Sequence, residues 1–193
     1  MQSTPKPSQI PSLISGTAFV PTQSSKFYIF GGVYKRDNLT SSRFQPPPSV
    51  GGELFSYSKD TGEWTQEKTV GYQPQQVALG LWADNNDANV SYFLGGLTND
   101  ETTSRLSSIA HDRLAVNGLL TLNFTDMSWK NESVAGDPTI RGFMHYIPLG
   151  EKGILVKFGG ERSSAGRYNS ASVLVCMMIL IFGRIILFYM VVK

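Results

Sequence analysis

The chain has 193 residues, 41% of them hydrophobic and 11% aromatic, with 19 glycines and a formal net charge of +2. That balance fits a globular β protein rather than a disordered chain and leaves no electrostatic footprint for nucleic acid, so no nucleic-acid partner is expected. Its single cysteine, Cys176, excludes an internal disulfide.

Residues 1–12 read as an extended segment. Pro5, Pro7, Pro11 and Pro21 punctuate the polar start, which lacks the basic stretch and apolar run of a signal peptide. Short apolar runs follow. The first unit has Thr17-Ala18-Phe19-Val20, then Phe27-Tyr28-Ile29-Phe30 closed by Gly31-Gly32. Gln45-Pro46-Pro47-Pro48 is a stiff loop run, and the pair Gly51-Gly52 behind it is loop as well. Leu54-Phe55-Ser56-Tyr57, the turn Asp60-Thr61-Gly62 and Trp64 complete the unit.

The second unit runs through Val77 to Trp82, Tyr92-Phe93-Leu94 with Gly95-Gly96, Leu119 to Leu122, a Thr125-Asp126 turn and Trp129. Within it, Asp84-Asn85-Asn86-Asp87 lacks the spacing and glycine of a calcium loop and reads as a solvated hairpin turn. His111-Asp112 is an exposed loop pair. The third unit has Phe143 to Ile147, with His145 as a strand residue, and Ile154 to Phe158 closed by Gly159-Gly160. Glu161-Arg162 then reads as a surface pair.

The three registered glycine pairs lie 64 residues apart, and Tyr57 to Trp64 repeats the seven-residue step from Leu122 to Trp129. Aromatic and β-branched runs between Asp/Gly/Thr turns predict antiparallel strands joined by hairpins, about four per unit. Four strands also make one blade of a β-propeller. These residues resemble the kelch repeat, with its strand-closing twin glycines and an aromatic seven residues before a tryptophan. The resemblance covers residues 13–172. It departs from the pattern at Leu122, which stands where tyrosine is usual, and in its long period, which is similar to that of large fungal kelch proteins.

The resemblance implies an all-β, partial kelch-type propeller of two full blades and half a third. Its structural repeat residues are Gly31, Gly32, Tyr57, Trp64, Gly95, Gly96, Trp129, Gly159 and Gly160. It implies a protein-interaction or scaffolding module that binds a protein partner through its loops. Propellers need four to eight blades to close, so the chain reads as a fragment of a larger parent. A propeller copper oxidase is the third option after a membrane-anchored form. It would need tyrosines, two histidines and a cysteine, but His111 and His145 each stand alone and Cys176 lies in the tail. No catalytic, cofactor or metal-binding residue is assigned.

Residues 173–192 are almost wholly apolar, and twenty such residues match a membrane-spanning helix. Thirteen are Val, Leu, Ile or Phe, worth about −5 kcal/mol of insertion against about +3 for Arg184. A helix is therefore expected there, with strand addition to an open sheet edge as the competing outcome. The anchor would make a single-pass membrane protein with a membrane partnership through the tail. A frame error is a separate reading, because the next frame over Cys176 to Gly183 is compatible with a kelch-like Tyr-Asp-Asp strand. Four sequons, at Asn38, Asn89, Asn123 and Asn131, fall in predicted turns or strand ends. They fit either a glycosylated parent of the secretory pathway or cell surface, or the ordinary taste of turns for Asn, Ser and Thr.

Overall fold

The computed structural model of the protein describes residues 10, 13–21, 24–34, 51–103, 114–134, 139–151, 153–164, 167–173, 175–181 and 184–190. Among them there are twenty strands and no helix. The first unit holds β1 (Leu13–Ile14), β2 (Thr17–Phe19), β3 (Lys26–Phe30), β4 (Val33–Tyr34), β5 (Leu54–Ser58) and β6 (Trp64–Gln66). The second holds β7 (Val70–Gly71), β8 (Leu81–Asn85), β9 (Val90–Leu94), β10 (Leu97–Thr98), β11 (Leu114–Ala115), β12 (Leu119–Asn123) and β13 (Ser128–Glu132). The third holds β14 (Thr139–Ile140), β15 (Phe143–Ile147), β16 (Ile154–Phe158), β17 (Glu161–Ser164), β18 (Arg167–Val173), β19 (Val175–Ile181) and β20 (Arg184–Met190).

Each unit is built on one antiparallel meander. The orders are β2-β3-β5-β6, then β8-β9-β12-β13 with β7 added parallel to β13, then β15-β16-β19-β20. Registers repeat as well as order. Thr17 pairs with Phe30, Leu81 with Leu94 and Phe143 with Phe158. Tyr57 pairs with Trp64 just as Leu122 pairs with Trp129. The hairpins turn on left-handed residues, Gly62 and Met127 before the tryptophans, and Asn89 and Gly153 before the second strands.

Two of the hydrophobic clusters among the described residues lie between neighbouring sheets. Phe19, Tyr28, Phe30 and Leu54 of the first unit pack on Val77, Phe93, Leu120, Leu122 and Trp129 of the second. Leu81, Ala83, Leu94 and Leu119 of the second pack on Met144 and Leu155 of the third. Aromatic rings close the first seam, with Phe30 at 4.8 Å from Trp129 and 5.3 Å from Phe93, centroid to centroid. The alternation of each strand decides which side chains meet. In β15, Met144 points into the core while Phe143, His145 and Ile147 stay outside it.

The tail corrects the helical expectation. Residues 173–192 contribute β19, β20 and the end of β18, not a helix, and β19 joins β16 through Val156↔Ile179 and Lys157↔Met178. The physical reason lies in the Val and Ile content and in the exposed edge of β16, which offers backbone partners that a lone helix would have to supply itself. Arg184 pairs with Ile181 at the hairpin end. No helix of the described residues is long and apolar enough to cross a membrane. The helical segment falls with that finding, and the single-pass anchor, the membrane localisation and the membrane partnership through residues 173–192, which all rested on that helix, lose their support.

Candidate interaction site

The glycine pairs form the seams. Each pair directly follows the second strand of its unit, and each adopts the same left-handed geometry. The φ values are 74° and 98° at Gly31 and Gly32, 68° and 103° at Gly95 and Gly96, and 64° and 102° at Gly159 and Gly160. This conformation strains any residue with a Cβ. The Gly32 N–H donates to the Val77 carbonyl at 2.7 Å, and the Gly96 N–H donates to the Thr139 carbonyl at 3.0 Å. A Cβ on Gly31 or Gly95 would overlap those same carbonyl oxygens, whereas one on Gly159 would meet nothing within 4 Å.

A second repeated feature runs beside the first, marked in the sequence only by the single glycines Gly16, Gly80 and Gly142. Ser15, Leu79 and Arg141 all hold positive φ, at 59°, 59° and 56°, immediately before Gly16, Gly80 and Gly142. They are linked across the units: the Leu79 N–H donates to the Ser15 carbonyl at 3.1 Å, and the Arg141 N–H to the Leu79 carbonyl at 2.9 Å. The buried Gln76 side chain reinforces the first seam, donating to the Gly32 carbonyl at 3.4 Å and accepting from the Glu53 N–H at 3.3 Å.

The third sheet leaves aromatic surface uncovered. Phe143 is 60% exposed, Phe158 43% and Trp82, on β8, 41%. Phe143 stacks on His145 at 6.2 Å and meets Phe158 at 6.4 Å. A recess of about 280 Å³ lies between β8 and β15, lined by Trp82, Asp84, Asn86, Phe143 and His145 among others. Apolar walls with a few polar groups are the usual make-up of a binding surface. Asp84 sits at the end of β8, half-buried, and accepts a hydrogen bond from the Ser91 hydroxyl. Burial pushes its carboxyl above the ordinary value, and the Ser91 bond only partly opposes that. It is therefore a strand residue, not part of a solvated turn; the turn proper begins at Asn86.

The remaining singled-out residues are spread through the fold. Trp129 is buried in the first seam, while Trp64 is half-buried on the outer side of the first sheet, 5.4 Å from Phe27 and 5.2 Å from Tyr57. Glu161 pairs with Arg141 at 2.7 Å. Asn89 lies at the β8–β9 turn, Asn123 ends β12 and accepts from the Thr125 N–H at 2.8 Å, and Asn131 is exposed in β13. Asn38, His111, Asp112 and the Gln45–Pro48 run lie outside the described residues. His145 lies on β15 and Cys176 on β19, with β16 between their strands. Among the described residues no three His, Cys, Asp or Glu side chains group to hold a metal. Strand alternation could have flagged Phe143 and His145 as a shared face, but only the packing of the units decides whether that face is covered.

No family model matches the chain, and no curated protein is detectably similar to it.

Proposed function

We propose that this chain is a protein-interaction or scaffolding module of kelch type, which holds a partner polypeptide on the strip formed by Trp82, Phe143 and Phe158. The observation that carries the reading is that strip: three large aromatic side chains, at least two-fifths exposed, beside a recess with polar groups at its rim. Exposed aromatics of this size are the residue types that anchor partner chains. The kelch kinship is supported by the glycine pairs, which end the second strand of three successive meanders in one shared conformation. The reading assigns the chain no catalytic step.

The test is affinity capture with the double variant Trp82→Ser, Phe143→Ser beside the wild type. Both side chains are exposed, so the fold should tolerate the change, which circular dichroism checks. The expected result is a stoichiometric partner on the wild type that the variant loses. Equal recovery of the same partner by both proteins would overturn the assignment of this strip.

A further inference from the structure

The face of the third sheet that carries Phe143 and Phe158 is a copy of a surface that the first two units bury. By register, Phe143 corresponds to Thr17 and Leu81, and Phe158 to Phe30 and Leu94. Thr17, Leu81, Phe30 and Leu94 are 3%, 0%, 0% and 5% exposed, because the following unit covers them. His145 occupies the place of Phe19 and Ala83, both of them buried. The backbone repeats the pattern. Gly31 and Gly95 abut the carbonyls of Val77 and Thr139 from the next unit, while the matching space at Gly159 is open. The complement of this face is thus known from two examples within the molecule.

That complement occurs a third time, on the outer side of the first unit. Trp64 holds the register of Trp129, the residue that meets Phe30 at 4.8 Å. Around it Phe27, Tyr57 and Trp64 form a triangle of rings 5.2–5.4 Å apart, all three half-buried. Leu13 stands three residues before Gly16, as Val77 stands before Gly80 and Thr139 before Gly142. The spine of left-handed residues ends in the same way, with exposed Ser15 at one end and exposed Arg141 at the other.

We infer that the partner is a second copy of this chain, docked head to tail so that the third sheet of each copy is covered by the first unit of the other. This rests on the kelch-type reading, because six four-stranded units fall within the four to eight that close a propeller ring. Each joint brings two unlike surfaces together, and a two-fold axis relates the two joints, so the pair closes on itself. In each joint Phe158 packs against Trp64 of the other copy, as Phe30 does against Trp129 with their rings tilted. The Leu13 carbonyl fills the space at Gly159, and the Ser15 N–H extends the spine to the Arg141 carbonyl.

Sedimentation of the full chain over a micromolar concentration series tests this. The wild type should run as a dimer, and Phe158→Glu, which puts a charge in both joints, as a monomer. Trp64→Ser should also run as a monomer, and an equimolar mixture of the two variants should recover a dimer, because one joint in the mixed pair is intact. Phe143→Glu gives a second front-face variant should Trp64→Ser not fold, and it should be monomeric too. A monomeric wild type, an open series of larger oligomers, or a dimer that survives Phe158→Glu and Phe143→Glu would each overturn the inference. A monomer that still captures another polypeptide at the strip would overturn it and leave the interaction reading standing.

Discussion

Gly95→Ala and Gly159→Ala put the same methyl group on the same backbone and differ in what that methyl meets. The two φ values are 68° and 64°. An alanine in this left-handed region costs about 1–2 kcal/mol. Lower freedom of the unfolded chain offsets about 0.4–1 kcal/mol of that. With open space around it, Gly159→Ala should lower stability by roughly 1 kcal/mol in total. At Gly95 the methyl would overlap the Thr139 carbonyl oxygen, which also accepts the Gly96 N–H at 3.0 Å. Moving that carbonyl loses a hydrogen bond worth about 1 kcal/mol and adds overpacking of about 1–3 kcal/mol. Gly95→Ala should therefore cost roughly 3–5 kcal/mol, a large share of the stability of a typical domain. Urea unfolding at a concentration where a single copy sediments would read the difference as a shift in midpoint at constant slope. Equal losses for the two variants would refute the claim that the glycine pairs exist to admit the next unit's backbone.

The tryptophans should separate in the same assay: Trp129→Ala by about 3–5 kcal/mol as a fully buried ring, and Trp64→Ala by roughly half that as a half-buried one. Asp84 sets a pH dependence. Because burial raises its folded pKa above 3.8, the native state holds the proton more tightly, so stability falls as pH rises from 3.8 through the folded value. Asp84→Asn should raise the melting temperature at neutral pH and remove that fall, which a melting series across acidic and neutral buffers would reveal; an unchanged profile would count against a buried carboxylate.

The glycine pairs were legible because their chemistry is sequence-local: two adjacent left-handed residues admit little but glycine. The hairpins were legible for a similar reason, from Asp, Asn and Thr in their turns. The same φ at Ser15, Leu79 and Arg141 is not legible from residue type, because hydrogen bonds between units impose it there. The tail misled because length and hydropathy count apolar residues without asking what lies beside them. An open edge at β16 turned a span-length run into strands. Trp82, Phe143 and Phe158 carried no signal for the same kind of reason: apolar residues on strands look alike until the neighbouring sheet is in place, and Phe30 and Phe158 differ only in having one.

Each seam is completed by a segment that lies downstream of it, Gly32 by Val77 and Gly96 by Thr139. Translation adds about 5–20 residues per second, whereas a hairpin forms in about 1–10 μs. A unit leaving the ribosome thus pairs its own strands at once and then waits, with its glycine corner empty, for the lead-in of the next to emerge. The molecule matures in order of synthesis, always one unit behind the ribosome.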